Sequence, residues 1–108
     1  MKETLGEYIH LLRIEKGLTL TKLAAALDVD QSTLSKIENN KKGVSLEILR
    51  KVAEVFSIEY KKLELEFNSQ RIAEIIYLEN DSSDLIQLAQ EKAKYLKSKN
   101  TRQGDLKL

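Results

Sequence analysis

The stretch that decides the fold is LTKLAAALDVDQSTLSKIEN, residues 20–39. Its first half has apolar residues at i, i+3, i+4 and i+7, which is the spacing of one helical face. Those residues are Leu20, Leu23, Ala24 and Leu27. A polar corner follows at residues 28–30, and a second helical segment begins at Gln31. Thr19 and Asp30 are the expected N-caps, because each side-chain oxygen can accept an N–H group of the first turn. The stretch therefore predicts two short helices joined by a tight corner, with Val29 turned inward.

The second helix has one apolar face and one polar face. At about 100° per residue, with Gln31 at zero, Leu34 and Ile37 lie at ~300° and ~240°, on the side opposite the polar residues. The polar side carries Gln31, Ser32, Ser35, Lys36 and Asn39. Amides, hydroxyls and ammonium groups pair with base edges in the major groove of DNA. The solvated face of any surface helix has a similar composition, but the linked caps and corner favour a helix-turn-helix that reads DNA.

Composition indicates an all-α protein of one domain with an appendage. The chain has 108 residues, of which 42% are hydrophobic, with four glycines and no proline. The absence of cysteine excludes a disulfide framework and a thiolate metal site. The N-terminus lacks the apolar run of a signal peptide, and no apolar stretch approaches the ~20 residues that span a bilayer. We expect a cytoplasmic protein with no membrane association, no metal and no cofactor.

The net charge of +1 is the main compositional objection to DNA binding, because DNA-binding domains are often strongly basic. The local field near the phosphates matters more than the total charge. Lys36, Lys41 and Lys42 cluster at the end of the second helix, and Glu38 is the only acidic residue among them. We expect the charge of Glu38 to be neutralised inside the protein.

The rest of the pattern predicts five helices in residues 1–67 and a helical hairpin in residues 68–98. Helix one spans about residues 4–16 and ends at Gly17, Ser45 caps helix four, and helix five starts near Glu59. A further helix is expected from Ser69. After a polar break at residues 80–83, a last helix spans about residues 84–97, and residues 99–108 are expected to be a flexible tail.

The apolar sides of the C-terminal hairpin require a partner. They either fold back on the first domain or pair with a second subunit. Because the first five helices already form a closed unit, the pattern favours a homodimer.

The residues LLRIEKGLT, LTKLAAALDVDQSTLSKIEN and VSLEILRKVAEVFSI resemble the Cro/C1-type, or XRE-like, helix-turn-helix family of bacterial and phage regulators. The resemblance covers about residues 5–65. It implies a five-helix, lambda-repressor-like fold, binding to double-stranded operator DNA as a dimer, and base reading by helix three. It also implies an ion pair between Arg13 of helix one and Glu38 of helix three.

Three positions depart from the family's usual residues. Asp28 and Asn40 stand where glycine is common, and both residue types tolerate a left-handed backbone. Leu20 stands where many relatives carry a glutamine that touches phosphate. Leucine cannot make that hydrogen bond, so other groups must hold the DNA backbone.

These observations assign candidate roles to nine residues around the second and third helices. The expected base contacts are Gln31, Ser32, Thr33, Ser35 and Lys36, with Thr33 at the boundary of the polar face. The expected phosphate contacts are Thr19, Asn39, Lys41 and Lys42. The function indicated is a sequence-specific transcriptional regulator, a repressor or autoregulator, that binds a palindromic operator.

Two other classes of function are weighed against DNA reading. A protein-interaction module with the same fold would also account for the low net charge and for Leu20. An enzyme is rejected, because the chain shows no nucleophile, phosphate loop or ligand-spaced cluster. The single histidine, His10, is interpreted as a plain surface residue of helix one.

Overall fold

The computed structural model describes residues 3–103, which form six α-helices and no strand. The helices are α1 (Leu5–Glu15), α2 (Leu20–Ala26), α3 (Gln31–Glu38), α4 (Leu46–Phe56), α5 (Tyr60–Tyr77) and α6 (Ser83–Gln103). The all-α fold class is confirmed. No helix of the described part is long and apolar enough to cross a membrane.

Short polar side chains begin each of the first four helices. Thr4, Thr19, Asp30 and Ser45 each accept a hydrogen bond from a backbone N–H three residues later, at 2.6–3.1 Å. Such bonds satisfy donors that have no partner within the helix. At α1 the arrangement is reciprocal, because the Glu7 carboxylate also accepts from the Thr4 N–H at 2.9 Å. The sequence predicted the caps at Thr19, Asp30 and Ser45.

The chain turns between helices through residues with left-handed backbones. Gly17 has φ 71°, Asp28 has φ 57°, Asn40 has φ 61° and Ser57 has φ 52°. Asp28 forms the corner between α2 and α3, and Asn40 ends the segment after α3. Their short polar side chains make this conformation accessible to residues other than glycine.

One apolar core unites α1 to α5. Its fully buried large side chains are Ile9, Leu23, Leu27, Leu34, Ile37, Leu49, Val52 and Leu63. Val29 of the corner is half-buried and packs against this core, as its apolar character predicted. Small Ala24, 2% exposed, is also part of the core. Burial of this apolar surface, at about 25 cal/mol per Å² of area removed from water, is what holds the short helices in place.

Gly6 sets the closest approach between α1 and α3. A Cβ built at Gly6 would lie 2.1 Å from the carbonyl oxygen of Ile37 and 2.9 Å from Oδ1 of Asn40. The same region carries a hydrogen bond of 2.6 Å from the Thr4 hydroxyl to Oδ1 of Asn40. The N-terminus of α1 therefore lies directly against the C-terminal end of α3.

The structure corrects the predicted break near residues 67–69. α5 runs without interruption from Tyr60 to Tyr77, so Phe67 and Ser69 lie inside one helix. Ser69 does not cap a new helix; its hydroxyl donates to the Glu66 carbonyl at 3.0 Å. A serine can bond back to its own helix in this way, and the segment contains no glycine or proline that would end it.

The chain divides into two compact units, one ending at Ala73 and one beginning at Glu74. α6 continues to Gln103, so residues 99–103, expected in the flexible tail, are helical. No glycine or proline occurs between Ser83 and Gln103, and the helix therefore has no local reason to end earlier. Residues 104–108 of that predicted tail lie outside the described residues.

A buried carboxylate joins α3 to α1. Glu38, 8% exposed, ends α3, and its Oε2 accepts from Nε of Arg13 at 2.8 Å. Its Oε1 accepts from Nη2 of Arg13 at 3.0 Å, which makes the contact bidentate. Arg13 also donates from Nη1 to the Leu18 carbonyl at 3.1 Å, just before α2 begins. One guanidinium therefore fixes α1, the α1–α2 turn and α3 to each other.

The environment of Glu38 stabilises its ionised form. Burial alone raises the pKa of this carboxyl and is the largest single influence. Hydrogen bonds from Arg13 and His10, together with the positive charge of the Arg13 guanidinium, outweigh burial and hold the pKa of Glu38 below its ordinary value. The folded state therefore gains stability from ionised Glu38 above the ordinary carboxyl pKa, and loses it as the pH falls through the lowered value.

We expect Gly6→Ala to destabilise the fold, although alanine normally favours a helix by about 1 kcal/mol. The added methyl group would collide with backbone atoms of α3, which can move only by separating the two helices. The loss should be at least 2 kcal/mol, the usual order for overpacking a core contact. Gly43→Ala, where a Cβ meets nothing within 4 Å, is the matched control. Urea unfolding of both variants measures the difference, and an unchanged midpoint for Gly6→Ala would contradict this packing.

We expect Glu38→Gln to cost about 2 kcal/mol or more near pH 7, because it leaves Arg13 buried without its counter-ion. The difference from the wild type should shrink as the pH falls from the ordinary carboxyl pKa through the lowered pKa of Glu38, where the folded wild type also takes up a proton. Glu47→Gln is the control, since Glu47 is exposed and its 3.5 Å pair with Lys51 lies at the surface. Unfolding free energies at several pH values test this, and a difference that stays constant down to pH 2 would show that the Glu38 charge is irrelevant.

Candidate nucleic-acid interface

The polar face of α3 lies open to solvent. Gln31, Ser32 and Lys36 are exposed, while Leu34 and Ile37 on the opposite face are buried. The exposed face borders an open depression of about 600 Å³. We call its lining the reading surface; it consists of Leu20, Gln31, Ser32, Ser35, Lys36, Asn39 and Lys41. α3 is thus held by one side and accessible from the other.

Gln31 is positioned by a residue that sequence reasoning missed. The hydroxyl of Thr21, on α2, donates to Oε1 of Gln31 at 2.7 Å. This bond joins the two helices across the corner and orients the amide. Oε1 keeps a second lone pair and the NH₂ group keeps its hydrogens, so both ends of the amide can still make hydrogen bonds. No local pattern identifies Thr21, because the contact depends on how the helices cross.

The other residues expected at base edges differ in exposure. Ser32 and Lys36 are exposed, whereas Thr33 and Ser35 are half-buried. Ser35 still lines the reading surface, but Thr33 does not. The structure thus brings four of the five residues together on one surface and leaves Thr33 at its boundary, where the helical wheel had put it.

The four residues expected at phosphates are all exposed. The Thr19 hydroxyl accepts from the Lys22 N–H at 3.1 Å, which leaves its own hydrogen available as a donor. Asn39 donates from Nδ2 to the Ser35 carbonyl at 2.8 Å and retains one further N–H. Lys41 and Lys42 follow in the loop, and Lys41 lines the reading surface.

Charge is distributed unevenly around α3. Glu38 points into the protein, while Lys36, Lys41 and Lys42 are exposed. One exposed carboxylate nearby is Asp30, whose pKa is lowered first by the hydrogen bond from the Thr33 N–H, at 2.6 Å, and further by Lys36 and Lys42. That carboxylate lies at the positive end of the α3 dipole, which offsets part of its negative field.

His10 was interpreted wrongly as a plain surface residue. Its Nδ1 lies 2.6 Å from Oε1 of Glu38 and 3.2 Å from Nη2 of Arg13. The lone His at position 10 precedes Arg13 by three residues, which places both on one side of α1. The three-residue spacing was the sequence signal for this contact. It identifies His10 only when Glu38 is known to approach the same side of α1.

A second, smaller depression of about 370 Å³ adjoins the reading surface. We call it the side pocket; it is lined by Glu7, His10, Arg13, Leu20, Ser35, Glu38 and Asn39. Three of these residues, Leu20, Ser35 and Asn39, also line the reading surface.

Residues 3–103 contain no cluster of three or more acidic or histidine side chains that could hold a metal ion.

A family model described as Helix-turn-helix matches residues 9–63, slightly more than half of the chain. The HTH-type transcriptional repressor RghR of Bacillus subtilis (strain 168) is 39% identical over 62 residues. That match covers 56% of this chain and 46% of the relative. The chain therefore spans somewhat under half the length of this curated relative.

Three solved structures have a similar fold, and two of them are of a gene regulator. A crystal structure of the clp gene regulator ClgR from C. glutamicum is 32% identical, with a TM-score of 0.51 over 60% of this chain and 84% of that one. A second ClgR structure from Corynebacterium glutamicum is 28% identical, with a TM-score of 0.52 over 85% and 84%. The SinR/SinI protein complex contains a chain that is 26% identical, with a TM-score of 0.51 over 88% and 99%.

The matched segment contains the capped helices, the corner and the exposed face of α3, so sequence, geometry and relatives agree. The chain belongs to the Cro/C1-type helix-turn-helix family of DNA-binding transcriptional regulators.

Proposed function

We propose that this chain is a transcriptional repressor or autoregulator that binds a palindromic operator as a homodimer. The observation that carries the proposal is the exposed polar face of α3, with Gln31, Ser32 and Lys36 presented together. Two copies related by a two-fold axis would dock their α3 helices in successive major grooves, about 10 base pairs apart. A repressor role is supported by the description of RghR as a transcriptional repressor. The site of action would be the cytoplasm.

In this proposal, base reading and backbone contact fall to different residues. Gln31, Ser32, Ser35 and Lys36 contact base edges, with Thr33 as a weaker candidate. Gln31 suits adenine, since its amide can accept from N6 and donate to N7, and Thr21 already fixes its orientation. Thr19, Asn39, Lys41 and Lys42 hold phosphates through N–H and O–H donors.

The homodimer rests on the C-terminal unit. On α6, Leu85, Leu88 and Leu96 share a stripe with Ala89, and Leu88 is 51% exposed. An apolar stripe of this kind is stabilised when a second subunit covers it. We propose that residues 68–98 supply the dimer contact.

The second candidate is a protein-interaction module that reads little DNA. The net charge of +1 and the apolar Leu20 on the reading surface favour it. A gel-shift titration with the DNA upstream of the gene separates the two functions. A shift at or below micromolar protein in low salt supports the regulator. Absence of any shift there overturns it in favour of the interaction module.

Two single substitutions should separate reading from backbone contact. Gln31→Ala should cost roughly 1–3 kcal/mol on the cognate site and relax the preference at one base position. Lys41→Ala should weaken binding to all duplexes alike and lower the salt slope by about one unit. Lys61→Ala, which does not line the reading surface, is the control. Binding isotherms on cognate and random duplexes at several salt concentrations provide the measurement. Equal losses for Gln31→Ala on both duplexes would contradict the assigned roles.

The dimer proposal predicts that Leu88→Glu weakens self-association. The charge would have to be buried in the interface, at a cost of several kcal/mol. Gln87→Glu adds the same charge about 100° away from Leu88 around α6, outside the apolar stripe, and should leave the dimer intact. Sedimentation equilibrium gives both masses. A wild-type chain that remains a monomer at high micromolar concentration would refute the homodimer.

A further inference from the structure

The buried pair that joins α1 to α3 has a third, half-exposed member. Oε1 of Glu38 accepts from Arg13 and also lies 2.6 Å from Nδ1 of His10, whose side chain is 45% exposed. The bidentate contact with Arg13 already satisfies the charge of Glu38. A second hydrogen-bond donor is therefore more than the ion pair itself requires, which leaves the role of His10 unexplained by the pair.

The geometry fixes which nitrogen of His10 carries a proton. Glu38 is ionised, so its oxygen can only accept, and a contact of 2.6 Å requires a hydrogen on Nδ1. Nη2 of Arg13 then lies 3.2 Å from Nδ1 because both donors converge on the same oxygen. The other ring nitrogen, Nε2, has no hydrogen-bond partner among residues 3–103.

The position of His10 connects it to the reading surface. His10 lines the side pocket, whose rim residues Leu20, Ser35 and Asn39 also line the reading surface. A duplex lying against α3 would therefore pass the mouth of the side pocket. Leu20 has no hydrogen-bond donor to offer a phosphate there, whereas the half-exposed imidazole of His10 lines the same depression.

We propose that Nε2 of His10 donates a hydrogen bond to a phosphate oxygen of bound DNA, and that His10 takes up a proton as it does so. Because Nδ1–H is committed to Glu38, Nε2 of a neutral ring holds a lone pair and cannot donate to a phosphate. The contact therefore requires the imidazolium form, and operator affinity rises as the pH falls. This inference rests on the proposed DNA-binding function and adds a backbone contact to it.

The charged groups around His10 are compatible with a cationic ring. On α1 they are Arg13 and Glu7, and on α3 the group is Glu38; Leu20 of α2 carries no charge. Two carboxylates and one guanidinium leave the pocket net negative before His10 gains a proton. A proton on His10 offsets that charge and removes the repulsion that Glu38 would exert on a nearby phosphate.

The test uses the full-length chain and a 24-base-pair duplex of mixed sequence, since a phosphate contact does not depend on base identity. His10 is the only histidine in the chain, and a pH dependence that a His10 variant abolishes is therefore assigned to this side chain. We expect binding about three- to ten-fold tighter at pH 5.5 than at pH 8.0. The plot of log K against log salt should also be steeper at pH 5.5 by about 0.9 for each bound subunit, as one more neutralised phosphate per subunit requires.

Two variants isolate the proton on Nε2. His10→Gln can still donate to Glu38 but has no titratable group, and it should bind at both pH values as weakly as the wild type does at pH 8.0. His10→Lys carries a fixed charge and should bind at both pH values about as tightly as the wild type does at pH 5.5. Circular dichroism spectra confirm that each variant is folded. Each variant tests the proton on Nε2 separately, so the result for either one alone can contradict the contact.

The outcomes distinguish the His10 contact from the proposed DNA-binding function on which it rests. If the wild type binds DNA equally at both pH values, or if His10→Gln keeps the wild-type pH dependence and salt slope, the His10 contact is wrong and the regulator remains. If the wild type binds neither this duplex nor the DNA upstream of the gene at either pH in low salt, both are overturned. A ¹⁵N spectrum adds a direct readout, since the duplex should shift Nε2 toward its protonated position at pH 7 if the contact forms. An unchanged Nε2 signal at saturating duplex would also refute it.

Discussion

The orientation of α3 depends on one buried carboxylate. Glu38 accepts from Arg13 through both oxygens and from His10 through one, so the end of α3 is bound to α1 by three donors. The absence of a Cβ on Gly6 lets the same end come into backbone contact with α1. At its other end α3 begins on the Asp30 cap, within the corner. With both ends fixed and the apolar face in the core, the polar face is the one side of α3 that remains accessible.

This arrangement resolves the apparent conflict between a nearly neutral chain and a DNA-binding family. Formal charge counts Glu38 and Lys36 as equal and opposite, although the first is buried against Arg13 and the second lies on the surface. A surface field depends on which charges reach solvent and how near they are to the ligand. Net charge is therefore a poor guide to the field beside α3, where the one carboxylate among the lysines is held in an internal pair.

Local signals in the sequence were sufficient for most of the helix-turn-helix unit. The caps at Thr19, Asp30 and Ser45 and the left-handed positions Asp28 and Asn40 follow from side-chain chemistry within a few residues, and all of them occur in the structure. The all-α class and the polar face of α3 were predictable for the same reason, whereas the family was predicted from the resemblance of three sequence stretches to its members.

The features that sequence analysis missed all depend on contacts between distant segments. Gly6 is an unremarkable glycine until the backbone of α3 is known to lie against it, and Thr21 matters only across the corner from Gln31. His10 acquired its role from a residue 28 positions away. The continuity of α5 through Ser69 was missed for another reason, since serine serves equally as a cap and as a member of a helix.

The three non-glycine residues with positive φ have a consequence for how this fold tolerates change. Each bend at Asp28, Asn40 and Ser57 carries a steric cost on the order of 1 kcal/mol that glycine would remove. Glycine would also enlarge the conformational freedom of the unfolded chain by a similar amount. The two effects nearly cancel, so these bends can exchange Asp, Asn, Ser and Gly with little net penalty. The angles between the helices can persist while the residues that form the bends vary.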